Sequence, residues 1–453
     1  MLVFSILLRT LTRMKTTCLK SLLLFSVIGG LAATAVADDF FIHDGDRVVF
    51  LGDSITQQKL YTTYIEGYAL TRHPQWKLSF RNTGWGGDTS WLRQRAHPDE
   101  KQLFAAGDAE QQSMVDKAVT SGLERDVLPL KPTAVTIDFG MNDFAYQAFR
   151  KDIFGAYVRS QTKLGEVLKA HGVRVAYLTP QPIEVKGPDP DQDPKNQSLR
   201  KFSDGLKEVA AKEDSLFVDE FDPYMAIMLR ERAKDTNANV GQGDAVHPGP
   251  TGHTLMAWAI LKGLGATPLV SRAEIDASTK SVSASEACKI EHLQVENGTV
   301  CFERLDEALP MPIDPKAQPA LKLAPILDDL DRYELKVTGL PAGEYELSID
   351  GQPAGKATAE TLAHGWNIAE EAGPITKQAE EVLKLIFKKN DVYYKRWRDV
   401  QLYVFPDWAQ SRTTENVRKQ KLKSLDQEIA NSEREINKLR QPKSHHFELK
   451  PAT

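Results

Sequence analysis

The stretch RVVFLGDSITQ, residues 47–57, decides how the chain is read. A tight apolar run ends abruptly on Gly-Asp-Ser-Ile-Thr. A short apolar run closed by a glycine reads as a buried strand. Its end has two readings. Asp53 or Ser54 caps the helix that follows, as Asp and Ser commonly do. Alternatively, Ser54 is a nucleophile at the carboxyl edge of a parallel sheet, where open α/β folds place their sites. A serine alone is a poor nucleophile and requires a base, so the choice rests on the rest of the chain.

Outward from this stretch, strand and helix patterns alternate to about residue 270. Apolar strands are expected at 47–51, 77–81, 134–139, 173–178 and 215–218, with helices at 62–71, 111–126, 153–170, 199–212 and 251–262. Five such strands between amphipathic helices predict an α/β unit: a five-stranded parallel sheet covered on both faces.

At 453 residues the chain has room for two or three domains. Its 41% hydrophobic and 26% charged content fits a globular protein rather than a disordered one. Lys15 and Lys20 precede an apolar run at 21–31, and Ala35-Val36-Ala37 supplies small residues for cleavage. Residues 1–37 therefore read as a signal peptide, with Met14 as a start and cleavage after Ala37, which predicts a secreted or periplasmic protein. The apolar run is shorter than the ~20 residues of a membrane span, so no stable membrane insertion is expected. Removing Arg9, Arg13, Lys15 and Lys20, and no acid, takes the formal charge from -5 to -9. Such a chain has no long-range attraction for nucleic acid. Cys18 leaves with the signal; Cys288 and Cys301 could pair across a strand-turn-strand in an oxidising compartment.

The catalytic unit is expected to span 38–270. A Ser- and Ala-rich linker at 271–287 leads to a small β-rich domain at 288–372. There Tyr333-Glu-Leu-Lys-Val337 and Tyr345-Glu-Leu-Ser-Ile349 alternate on either side of GLPAG and predict a hairpin. Residues 373–441 read as a helical pair and 442–453 as a flexible tail.

The best base for Ser54 lies in DAVHPGPTGH, residues 244–253. Pro248 and Pro250 exclude a regular helix there, and a short turn can bring Asp244 to one nitrogen of His247 while the other faces Ser54. The carboxylate then fixes the tautomer and supports the imidazolium. His253 competes for that role and reads as a packing or capping residue. An oxyanion also needs donors. NTGWGGDTS, residues 82–90, has glycines that let backbone approach a ligand closely, and Asn142 in FGMND offers a side-chain amide.

Taken in order, GDSI (52–55), GWGGDTS (84–90), GMND (140–143) and DAVHP (244–248) resemble the four blocks of the SGNH hydrolases, also called GDSL-type esterases and lipases. The resemblance covers about residues 45–265. It implies a three-layer α/β/α flavodoxin-like fold and serine-dependent ester hydrolysis through an acyl-enzyme intermediate. By motif position Ser54 would be the nucleophile, His247 the base and Asp244 its partner, with the oxyanion held by the N–H groups of Ser54 and Gly87 and by Asn142. The C-terminal region resembles, more loosely, the extra region attached to SGNH domains of some bacterial secreted proteins.

Trp85, Trp91, Phe144 and Tyr146 flank the proposed site and are candidates for the substrate pocket. With an exported acidic chain and no apolar lid pattern, they point to removal of short acyl groups, chiefly acetyl, from carbohydrate. The alternatives are a short-chain carboxylesterase or a lipase or phospholipase acting on non-carbohydrate esters, and a non-catalytic glycan-binding protein on the same scaffold. No cofactor or metal is expected: the chain has no HExxH, and His247 and His253 are too few to form a ligand set.

Overall fold

The computed structural model describes residues 40–371 and 373–452. The predicted signal peptide lies outside them, and the rest forms one compact unit. Strands β1 (Arg47–Gly52), β2 (Ser79–Asn82), β3 (Ala134–Asp138), β4 (Arg174–Leu178) and β5 (Leu216–Val218) make a parallel sheet in the order β2-β1-β3-β4-β5. That is the 2-1-3-4-5 order of flavodoxin-like folds, whose sites open at the carboxyl ends of the strands. β1 and β3 are nearly fully buried; β1 reads as a continuous apolar run, whereas β3 also buries Thr136 and Asp138.

Helix α1 (Ser54–Gln57) is a single turn after β1, and α2 (Leu60–Arg72) follows it. The larger connections are α3 (Asp108–Asp126), α4 (Lys151–Ala170), α5 (Pro194–Lys212), α6 (Phe221–Arg232) and α7 (Pro250–Gly263). α2 packs on α7, while α3 packs on α4 and α4 on α5, giving helices flanking the sheet. Helix α6 was not foreseen: FDPYMAIMLRER opens with Pro223 in its first turn, and its apolar residues show no clean helical stripe.

Beyond residue 268 the expectations need four corrections. The segment 271–287 is not a linker. It holds most of β6 (Leu269–Asp276) and all of β7 (Ser281–Glu286), an antiparallel pair. β7 is exposed along its whole length, so its Ser- and Ala-rich sequence lacks the alternation that marks a half-buried strand.

β8 (Cys288–Glu296) and β9 (Thr299–Asp306) form a hairpin whose register opposes Cys288 to Asp306 and Cys301 to Gln294. The cysteines are free thiols. Asp306 lies five residues from Cys301, about 17 Å along the strand at ~3.4 Å per residue, whereas a disulfide spans less than ~7 Å between Cα atoms.

The segments around GLPAG do not pair with each other. β10 (Arg332–Thr338) joins β13 (Trp366–Asn367), β6 and β7 in a four-stranded sheet, whereas β11 (Glu344–Ile349) pairs with β12 (Gln352–Thr358) in a five-stranded one. Both strands alternate because they face one shared core from opposite sheets: Leu335 and Val337 meet Leu347, Phe302 and Phe447 there. Period two identifies an inward face but not the partner strand.

The residues read as a flexible tail hold β14 (Ser444–Pro451), an inner strand of the second sheet between β11 and β9. His445, Phe447 and Leu449 point inward and their neighbours outward.

The two long C-terminal helices, α8 (Pro374–Tyr394) and α9 (Arg412–Leu439), pack against each other as expected, and α8 also packs on α2. Between them come a π-helical stretch, Lys395–Gln401, and a loop.

Candidate active site

The geometry is compatible with both readings of the opening stretch. Asp53 caps α1, its Oδ1 accepting from the Ile55 N–H at 2.9 Å. Ser54, half-buried as the first residue of that turn, has its Oγ 2.9 Å from His247 Nε2. As a first-turn residue, its N–H has no acceptor within the helix.

His247 sits on the loop before α7, held from its own backbone. Asp244 Oδ1 accepts from the N–H groups of Val246 and His247, each at 2.7 Å, and Asp244 Oδ2 lies 3.1 Å from His247 Nδ1. One carboxylate thus folds the turn and orients the ring. The backbone N–H of His247, then that of Val246, hold the Asp244 carboxyl below its usual range, so it stays ionised. Its side chain is 67% exposed, which leaves the pair in contact with solvent.

His253 is in a different environment. It is fully buried, its Nε2 meets Gln58 Oε1 at 3.0 Å, and its ring stacks on Tyr61. Burial and then the nearby His247 push it down to about 3. It is a neutral packing residue.

The Gly-rich segment after β2 makes a tight turn, with the Asp88 N–H donating to Trp85 O at 3.0 Å and Gly87 at φ +73°. Type II turns reserve that position for glycine. A side chain on Gly84 would collide with the backbone of Gln57, so only glycine lets this loop lie against α1. The turn is fixed from below: Asp88 accepts from the Gln94 N–H at 3.0 Å and from Arg95 Nε at 2.7 Å, and Arg95 reaches Asp126.

Asn142 Nδ2 donates to Asp88 O at 3.0 Å and to Asp53 Oδ2 at 3.3 Å, while its Oδ1 accepts from Tyr146 Oη at 3.0 Å. Its amide therefore lies between the Ser54 turn and the glycine turn. Asp143 joins the same loops, accepting from the N–H groups of Ser90 and Gly140, and burial pushes its carboxyl up to about 7. Burial, then the Asp138 carboxyl, raise Asp53 well above the ordinary range. Asp88 and Asp143 are residues that the sequence reading passed over, and Asp53 was read only as a helix cap. All three lay inside the quoted blocks, but nothing in sequence separates an acid that braces a loop from one that caps a turn.

The proposed aromatic pocket divides. Trp91 and Phe144 are core residues, 1% and 2% exposed, with Trp91 Nε1 donating to Glu100. Trp85 and Tyr146 remain near the surface. Gln57, Arg93 and Gln94 surround the glycine turn: the Gly86 N–H donates to Gln57 Oε1 at 2.6 Å and Arg93 Nε donates to Gly87 O at 2.5 Å. The rim is polar. Among the described residues no three His, Cys, Asp or Glu side chains are grouped to hold a metal, and no helix is long and apolar enough to cross a membrane.

A hydroxyl on an imidazole that is itself backed by a carboxylate, at the carboxyl edge of a sheet beside two glycine-containing turns, can attack a carbonyl and stabilise the charge that results. Residues 50–255 match the GDSL-like Lipase/Acylhydrolase family model. An acetylxylan esterase of Geobacillus stearothermophilus is 24% identical over 248 residues, 49% of this chain and 96% of that protein. A solved structure of that esterase matches with 23% identity, a TM-score of 0.38 and coverage of 49% and 96%. A gut microbial diltiazem-metabolizing enzyme is similar over 91% of this chain and 98% of its own, with 24% identity and a TM-score of 0.74. The last likeness bears on the fold alone and includes the C-terminal sheets and helices.

Proposed function

We propose that this chain, whose residues 50–255 match the GDSL-like Lipase/Acylhydrolase family model, is a carboxylic ester hydrolase that removes short acyl groups, chiefly acetyl, from carbohydrate with Ser54 as nucleophile. The observation that carries the mechanism is the line Ser54 Oγ to His247 Nε2 to Asp244, at 2.9 and 3.1 Å. His247 takes the hydroxyl proton as Oγ attacks the acyl carbon. The oxyanion is met by the N–H groups of Ser54 and Gly87, and by Asn142 once it releases its longer bond to Asp53. Collapse breaks the ester bond, and the alcohol leaves with the proton from His247. Water, deprotonated by the same ring, then hydrolyses the acyl-enzyme to the free acid and Ser54.

The substrate class is supported by the relative that acts as an acetylxylan esterase and by the polar rim of Gln57, Arg93 and Gln94, which does not suit a long acyl chain. The N-terminal pattern supports export. The test is a substrate panel of acetylated xylan, acetylated pectin and p-nitrophenyl esters of rising chain length. Acetyl esters should be the best substrates. Activity that rises with acyl length, with acetylated polysaccharides left untouched, would overturn the carbohydrate assignment.

A further inference from the structure

A cavity of about 900 Å³ lies beside the glycine turn, between the catalytic unit and the tip of the C-terminal helix pair. It is at the upper end of the ~300–1,000 Å³ typical of small-ligand sites. One wall is Trp85, His97 and Arg125; the other is the 401–419 segment, with Tyr403, Arg412 and Lys419. Its link to the chemistry is short. The Trp85 N–H donates to Gly52 O at 3.0 Å, two residues before Ser54, and Gln94, which packs against Gly87, also lines the cavity.

The C-terminal segment is fitted to that wall. The Arg398 guanidinium lies 3.6 Å over the Trp85 ring, and Trp397 meets the same ring edge-on. Arg398 Nη1 is buried without a hydrogen-bond partner among the described residues. The lining charges are unbalanced. Arg125 is satisfied by Asp126, and Arg418 is tied to Tyr403 O and Glu415. Arg412 and Lys419 are exposed and have no acidic partner among the described residues. Glu415 is the one acid in the lining. Cations without acidic partners beside the exposed Tyr403 ring suit a sugar that carries a carboxylate.

We propose that this cavity is a subsite for a carboxylate-bearing sugar, receiving a uronic acid residue of the oligosaccharide whose acyl group lies at Ser54. The C-terminal helix pair thereby sets substrate choice in a region that carries no catalytic group. The proposal rests on the carbohydrate reading of the active site and names the class of glycan.

The test is calorimetric titration of the full chain carrying Ser54→Ala with tetragalacturonate and with neutral xylotetraose. The acidic oligomer should bind more tightly. Its Kd should weaken about tenfold or more in the Arg412→Glu/Lys419→Glu protein and as salt rises from about 0.05 to 0.5 M. The xylotetraose Kd should change little. Equal binding of the two oligomers, or a tetragalacturonate Kd indifferent to both charge reversal and salt, would overturn the subsite. If the double variant does not fold, the salt titration of the Ser54→Ala protein decides. Deacetylation of neutral acetylated xylan by the unsubstituted protein is read separately. Failure on both acetylated xylan and acetylated pectin alongside intact uronate binding overturns the carbohydrate substrate assigned to Ser54 and leaves the binding at the cavity standing.

Discussion

Lys389 of α8 reaches Glu66 of α2 at 2.5 Å, both side chains almost wholly excluded from water. Asn390 adds bonds to Glu66 and Thr63. Burial acts on both ions against their mutual attraction, raising the Glu66 carboxyl and lowering the Lys389 ammonium. The C-terminal helix pair is thus anchored inside the catalytic unit, on the helix that begins six residues after Ser54.

Removing one member of such a pair leaves a buried charge alone. Lys389→Met should cost about 3–5 kcal/mol, and the double change Glu66→Leu/Lys389→Met should recover most of that loss. Urea unfolding of the three proteins checks it. A harmless single substitution would mean that the pair is not buried in solution.

The two histidines should separate cleanly. His247→Ala should lower kcat by ~10²–10⁴, the usual worth of a general base. His253→Ala should lower the melting temperature and retain most of kcat. Burial holds His253 down to about 3, so it is already neutral across the working range and adds no ionisation there. The low-pH limb of the kcat/KM profile should therefore persist in His253→Ala. Its disappearance in that variant would assign the base to His253.

Asp244→Asn should lower kcat by about 10- to 100-fold, less than the ~10⁴ typical of a buried triad aspartate. Its side chain is 67% exposed, and solvent screens its support of the imidazolium. The direction in pH also follows. With its pKa depressed by the two backbone donors, Asp244 stays ionised until pH falls below the ordinary carboxylate range. The stability it contributes is lost only there. A loss of turn structure in the pH 5–6 window, seen by hydrogen exchange at Val246 and His247, would contradict this.

Truncation after Gln441 should yield insoluble or unfolded C-terminal sheets, because β14 lies between β9 and β11. Peptide mapping after alkylation without reductant should find Cys288 and Cys301 both modified. A soluble truncated protein with an unchanged melting temperature would contradict the strand assignment, and a linked peptide pair would contradict the β8–β9 register.

Legibility in the sequence followed locality. Ser54, His247 and Asp244 could be placed because each sits in a short block beside a strand end or helix start, and Asp244 orients His247 from three residues away. The parallel sheet was legible because β1 and β3 are buried on both faces and are mostly apolar. β7 was not, since an exposed edge strand needs no apolar residue. β14 was missed because its three inward residues, His445, Phe447 and Leu449, make a pattern too short to register after the charged helix α9. Trp91 and Phe144 read as pocket residues because a sequence gives proximity along the chain but not which way a ring turns.

The most direct test of the account is hydrolysis of p-nitrophenyl acetate without added metal by the protein and by its Ser54→Ala form, with mass spectrometry of the acid-quenched reaction. The account predicts an acetyl adduct on Ser54 in the unsubstituted protein, and in Ser54→Ala a rate at background with the melting temperature unchanged. An unchanged rate in Ser54→Ala, or an acetyl adduct on another residue that turns over at the steady-state rate, would contradict it.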